Sequence, residues 1–301
     1  MAGISDGELR RFILERQPVR GFWIRLDGAW RELRSHQHYP PLVESLLGEA
    51  VTASLLLAAT LKFQGTLTLQ LAGDGLVNLL VAQCTHDFVI RAVARADAIT
   101  DGQVSFHQLV GDGRLTVTIE AEERSARYQG IVSLQGASLA ECLENYFATS
   151  EQLPTRIALA ADALSTGGVL LQKIPGASAQ GEAQAAVSQA VWEDLQPRVA
   201  TLDATLLLRG SAEQVLAQVC AEHDCRLFQG SSVRFACRCS EGRVAGLLRS
   251  LGPAEMHSIL AEQGAVTVTC EFCGRPYRFD SIDVERLFTE GANPEAPHSV
   301  N

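Results

Sequence analysis

The spacing of hydrophobic and polar residues changes period several times along the chain, and each change predicts a new element. Residues 1–36 mix charges with one short apolar run, Gly21-Phe-Trp-Ile-Arg-Leu26, which reads as a strand. A turn at His38-Tyr-Pro-Pro41 follows. Leu46, Leu47, Val51, Leu55, Ala58 and Ala59 then fall close to one helical face and predict a helix from Leu42 to about Phe63. Small residues fill its other faces, so the helix is expected to be buried. Thr66–Leu71 alternate polar and apolar, as a half-buried strand does, and Gly73-Asp-Gly75 turns the chain back toward Leu76–Val81. The same device recurs at Gly111-Asp-Gly113, between Leu109-Val110 and Leu115–Glu120. Two strand–turn–strand hairpins predict an antiparallel sheet. Neither glycine pair opens a helix or carries the Gly-Lys-Ser/Thr ending of a phosphate loop, so both are read as turns and no nucleotide is expected.

Gln129–Leu134, Thr155–Leu159 and Gly168–Gln172 predict further strands. Ser138 and Glu141 stand at capping-box spacing before a helix reaching Phe147, with Leu139, Cys142, Leu143 and Phe147 on one face. Residues 1–173 therefore read as an α+β domain, an antiparallel sheet with helices. Pro175–Gly181 is rich in helix breakers. Beyond it come three short helical stretches, Ala183–Leu195, Leu202–Leu208 and Ala212–Val219, each only modestly apolar. Helices of this length are marginal in water and need a surface to lie on, so 174–230 is expected to be a conditional, metastable helical linker. A small C-terminal domain over 231–290 and a flexible tail over 291–301 complete the expected organisation.

Composition narrows the function classes. The net charge of −10 argues against nucleic acid as a partner, because backbone-phosphate binding runs on positive charge. The longest apolar stretch, Val51–Leu61, is too short to span a bilayer, and Met1–Glu8 lacks a basic start and an apolar run. A soluble cytoplasmic protein without a membrane partner is expected.

Six of the eight cysteines lie in the last third of the chain. In a reducing compartment, clustered cysteines are metal ligands or redox groups before they are structural bridges. Cys237 and Cys239 are two residues apart, so on an extended chain both thiols face one side. Cys270 and Cys273 form a Cys-x-x-Cys followed by Gly274, a knuckle in which glycine permits the tight turn. Four thiolates in two short-spaced pairs suit tetrahedral zinc. Gly242–Gly264 is read as helices over this site, with Leu247, Leu248, Leu251, Ile259 and Leu260 as filling. Several readings stay open on the residues alone. The zinc could be purely structural. A nucleic-acid ribbon would want a basic stripe, but 231–301 carry 7 Arg against 9 Asp or Glu. A thioredoxin-type site would want its Cys-x-x-Cys opening a helix, whereas Cys270 follows the strand-like Val266–Thr269. Cys220 and Cys225 offer alternative ligands, although their spacing favours partial burial. An enzyme has least support, since the seven histidines form no motif with a nucleophile.

Over nearly its whole length the chain resembles the redox-regulated heat-shock holdases, the 33 kDa chaperonins of bacteria. The matching residues include Val19-Arg-Gly21, His38-Tyr-Pro40, Leu46-Leu-Gly-Glu49, Ala58–Phe63, Gly73-Asp-Gly75, Tyr128-Gln-Gly-Ile131 and Ser150–Thr155. Cys237, Cys239, Cys270 and Cys273 map residue for residue onto the family's cysteine motif, followed by Tyr277-x-Phe279-Asp280. Cys84, Cys142, Cys220 and Cys225 lie outside that motif and inherit no role. The resemblance implies an ATP-independent chaperone, not an enzyme, that is inactive when reduced and carrying one Zn2+ per chain. It implies activation by the disulfides Cys237–Cys239 and Cys270–Cys273, with zinc release and linker unfolding. It further implies unfolded client proteins as partners and a homodimer when oxidised.

Overall fold

The charged N-terminal stretch, whose apolar pattern is weak, is a strand. In a computed structural model that describes residues 7–97, 104–121, 127–175 and 182–289, β1 (Gly7–Leu14) buries Leu9, Phe12 and Leu14. It pairs antiparallel with β2 (Val19–Leu26), placing Phe12 opposite Gly21. A Cβ on Gly21 would lie 2.1 Å from the Phe12 ring, so the bare glycine is what lets the ring cross the strand. The breaker-rich residues 176–181 and the tail over 291–301 lie outside the described residues.

Two sheets and the helices around them make up the first of two units, Met1–Ala236. The first sheet runs β10 (Cys225–Leu227), β1, β2, β9 (Thr166–Lys173), β8 (Thr155–Ala161), with β11 (Ser231–Ser232) also on β1, and every pairing is antiparallel. The second runs β12, β5, β4, β3, β6, β7, over Arg234–Phe235, Val89–Ala96, Val77–Thr85, Gly65–Ala72, Arg114–Ala121 and Arg127–Ser133. Only β12 runs parallel to its neighbour in that sheet. The expected antiparallel α+β architecture is therefore present. β5 carries no clean alternation and was not anticipated from the sequence.

One anticipated hairpin is corrected. Leu109 and Val110 belong to the short helix α3 (Phe106–Val110), so Gly111-Asp-Gly113 joins a helix to β6. Ser105 and Gln108 form a capping box, which winds the segment into a helical turn, and Gly111 ends it at φ +60°. The two Gly-Asp-Gly loops meet: the Asp112 amide donates to Asp74 Oδ1 at 2.8 Å, and a Cβ on Gly75 would lie 2.4 Å from the Gly111 nitrogen. Glycine is required there by close approach of two backbones.

The long helix is α2 (Pro41–Thr60), which packs against strands of both sheets. This explains its apolar character all round. By length and composition it could cross a bilayer, yet 78% of its most apolar window is buried inside the unit. It is a core helix. α1 (Gly28–Arg34) and α4 (Leu139–Thr149) flank it, and the Ser138 side chain caps α4 by accepting from the Glu141 amide. Cys142 and Cys84 are buried in this core as small apolar groups.

Burial pushes the Glu49 carboxyl, on α2, up to about 7. A carboxyl with a raised pKa favours the fold at low pH, and that contribution is lost as pH rises through the folded value. Glu49→Gln should therefore change stability little at pH 5 and stabilise by up to about 3 kcal/mol at pH 8. That figure is an upper bound, since Glu49 is only partly buried. Thermal midpoints of both chains at the two pH values check this, and equal differences at both would contradict it.

The linker segment forms α5 (Glu182–Ala200), α6 (Ala204–Arg209) and α7 (Ala212–Cys220). They lie on the face of the first sheet opposite the α2 core. Period-two alternation sorts the strands: Phe22, Ile24 and Leu170 face the α2 side, whereas Phe12, Trp23, Val169 and Leu171 face the linker helices. Trp192, Leu195, Val199, Leu207 and Val215 cover that second face.

Candidate metal centre

The second unit, Cys237–Asn301, contains α8 (Glu241–Leu251), α9 (Pro253–Gln263), the hairpin β13 (Val266–Thr269) and β14 (Pro276–Phe279), and α10 (Ser281–Thr289). Its buried core is small: Ala245, Leu248, Met256, Val266, Tyr277, Phe279, Val284 and Leu287. Ile259 and Leu260 pack against it as expected. Leu247 and Leu251 do not, each being 55% exposed. Leu247 lies about 100° round the helix from the inward Leu248, and Leu251 is the last residue before the Gly252 turn.

Two short backbone devices present the four thiols. Cys237 and Cys239 precede Ser240, whose hydroxyl accepts from the Arg243 amide and caps α8. Arg243 Nη1 donates back to the Arg238 carbonyl at 2.6 Å, tying the Cys-x-Cys segment to that helix. Cys270 and Cys273 occupy the β13–β14 turn. There the Gly274 amide donates to the Cys270 carbonyl at 2.8 Å and the Cys270 amide to Arg275 O at 2.9 Å. Gly274 has φ +64°, the conformation for which the knuckle needs glycine. No helix begins at Cys270, so the thioredoxin-type reading lacks its central feature.

All four Sγ atoms lie within 4.8 Å of one another, with Cys237–Cys270 at 3.6 Å and Cys239–Cys273 at 3.4 Å. Four sulfurs bound at about 2.3 Å to one tetrahedral ion are separated by about 3.8 Å along each edge. The spacing thus fits a single ion, and four cysteines with no carboxylate form a soft donor set. The residues predicted from their spacing are brought together and positioned to hold a metal ion. Cys220 and Cys225 lie in the first unit, outside this group.

The Tyr277 hydroxyl donates to Cys239 Sγ at 3.1 Å. Cysteine spacing gave no role to Tyr277; the contact arises because β14 runs back past the knuckle. Burial opposes ionisation of Cys239, but the hydrogen bonds from Tyr277 and from the neighbouring thiols outweigh it and bring this thiol down to about 7. Burial pushes Cys237 up, and pushes Cys273 up to about 12. Of these three thiols only Cys239 is lowered.

A family model described as Hsp33 protein matches residues 7–280. A 33 kDa chaperonin of Nitrosococcus oceani is 42% identical over 283 residues, 94% of each chain. Another, of Shewanella sediminis, is 39% identical over 97% of this chain and 99% of its own. The crystal structure of a 33 kDa chaperonin, a heat shock protein 33 homologue from Thermotoga maritima, superposes with a TM-score of 0.80. It covers 94% of this chain and 98% of its own at 21% identity, a likeness of fold.

Proposed function

The chain belongs to the Hsp33 family, and from that premise we propose that it is a redox-regulated, ATP-independent holdase that keeps thermally unfolding and oxidatively damaged proteins from aggregating. In this reading Cys237, Cys239, Cys270 and Cys273 hold one zinc ion in the reduced, inactive form. The convergence of their four Sγ atoms within 4.8 Å is the observation that carries it. Zinc bound there would keep the sulfurs as thiolates and contribute about 10–16 kcal/mol of folding free energy, comparable to the roughly 5–15 kcal/mol of a whole domain.

Peroxide attack on one cysteine sulfur breaks the O–O bond and yields a sulfenic acid and water. A neighbouring thiol then displaces a second water to form the disulfide. The proposed pairs are Cys237–Cys239 and Cys270–Cys273. The cross pairs Cys237–Cys270 and Cys239–Cys273 lie at 3.6 and 3.4 Å, but either would staple together segments more than thirty residues apart and hold the unit shut. Local pairs leave it free to open once no thiolates remain to bind a metal. We read 231–290 as the switch, 174–230 as the conditional linker, and 1–173 as the client-binding and dimerisation core. Release of α5–α7 would expose Phe12, Trp23, Val169 and Leu171, an apolar sheet face suited to unfolded clients. Homodimerisation when oxidised, a cytoplasmic location and the absence of catalytic chemistry, nucleotide or nucleic acid belong to the same proposal.

The test treats reduced protein with peroxide at elevated temperature and follows zinc release and client aggregation in the same sample. Zinc release and suppression of aggregation should rise together. Equal suppression by reduced and oxidised protein would remove the switch, and retention of zinc under mild oxidant would favour a purely structural metal.

A further inference from the structure

Tyr277 joins the core of the second unit to its sulfurs. It stands opposite Val268 in the β13–β14 hairpin, and its ring is buried in that core with Leu248, Val266 and Phe279. Its hydroxyl emerges beside the knuckle and donates to Cys239 Sγ at 3.1 Å, across 38 residues of sequence. A buried tyrosine hydroxyl needs an acceptor, and a carbonyl oxygen is the common choice. A neutral thiol or a disulfide sulfur accepts weakly, whereas a thiolate accepts as a charged group does. The contact therefore has its full strength only while Cys239 is a thiolate.

We propose that the Tyr277 hydroxyl masks the Cys239 sulfur from peroxide and so sets the oxidant dose at which Cys237 and Cys239 close into a disulfide. The inference rests on the switch proposed for the four cysteines and names a residue that adjusts it. A donated hydrogen bond draws electron density from sulfur, and a less basic sulfur is a poorer nucleophile. Closure uses a Cys239 lone pair in either order of events. If Cys239 meets the peroxide, its sulfur takes one oxygen, the O–O bond breaks and water leaves. Cys237 then attacks that sulfur, the S–S bond forms, and the S–O bond breaks to release a second water. If Cys237 is oxidised first, Cys239 makes the second attack. Either way two thiolates, one peroxide and two protons become one disulfide and two waters. After closure the sulfur accepts weakly and the buried hydroxyl loses its partner, so the contact favours the reduced form as well.

Tyr277→Phe keeps the ring in the core and removes only the hydroxyl. The full chain is loaded with zinc, dosed with peroxide, quenched in N-ethylmaleimide and digested with trypsin. Cleavage after Arg234, Arg238 and Arg243 places Cys237 on residues 235–238 and Cys239 on 239–243, so their disulfide appears as two linked peptides. In Tyr277→Phe this link should form about three- to tenfold faster, while the initial rate at Cys270 and Cys273 stays as in the wild type. With cobalt in place of zinc, the thiolate-to-metal charge-transfer band of Tyr277→Phe should move to longer wavelength. The ligand-field bands of the tetrahedral ion should keep their intensity. Replacing Tyr277 by a ring-fluorinated tyrosine, a stronger donor, should move rate and band the other way, and decides the matter should Tyr277→Phe fail to hold metal. Equal rates of Cys237–Cys239 closure would overturn the proposal. So would an unmoved charge-transfer band, or an equal acceleration of both pairs, which is what a loosened unit produces. A wild-type chain that takes up neither zinc nor cobalt removes the switch reading and this inference with it, whereas metal-loaded chains with equal rates remove only this inference.

Discussion

Cys270→Ser should leave the reduced chain without zinc and without a folded second unit. Serine offers a hydroxyl in place of a thiolate, and the remaining three sulfurs do not complete a closed tetrahedral site. The loss matters because the second unit has little else to hold it. Among the described residues, eight buried side chains form its core, and two of the leucines available to it, Leu247 and Leu251, face outward. Losing the folding energy of about 10–16 kcal/mol that zinc bound there would supply should exceed what such a core can replace. Zinc content after dialysis, together with amide exchange across β13 and β14, reads both effects. Cys142→Ala, a change confined to the first unit, should keep its zinc. A Cys270→Ser chain with a full equivalent of zinc would show that Cys270 is not a ligand.

The four-cysteine cluster was legible in the sequence because its geometry is local. Two residues of separation on an extended chain and a glycine after the second thiol of a knuckle each dictate where a sulfur points, whatever the rest of the fold does. The convergence of the two pairs is the only long-range step, and four cysteines with one shared chemistry made it a natural expectation. The α2 helix and β3, β4, β6 and β7 of the second sheet were legible for the same reason, since their periods are strong. β1 and β5 were not, because their apolar residues are interleaved with arginines and their burial comes from neighbours distant in sequence. The second Gly-Asp-Gly loop misled for a related reason: glycine marks a turn without saying what kind of element precedes it, and the Ser105–Gln108 capping box decided that. Tyr277 as a partner of Cys239 was out of reach, because the contact depends on the register of the β13–β14 hairpin.

Leu195→Asp should turn the reduced, metal-bearing protein into a constitutive holdase. Leu195 is fully buried in the layer between α5 and the first sheet, beside Trp192 and Val199. Removing such a side chain costs about 2–5 kcal/mol, and burying a carboxylate in its place costs more. Other anchors of α5 include Trp192 and Val199 in the same layer and the Ser188 hydroxyl on Gln17, while Val187 is half exposed and a proline stands at position 197 within the helix. α5 should therefore leave the sheet and uncover Phe12, Trp23, Val169 and Leu171 while the four cysteines stay untouched. Trp23 and Trp192 both sit in this layer, so their fluorescence should shift to the red on undocking. Val187→Asp, on the exposed side of the same helix, should change neither fluorescence nor activity. The decisive comparison is aggregation suppression by reduced Leu195→Asp protein with zinc still bound. If the fluorescence shows the helix undocked and clients still aggregate, the face beneath the linker is not the client surface, and release of the linker is not what activates the chaperone.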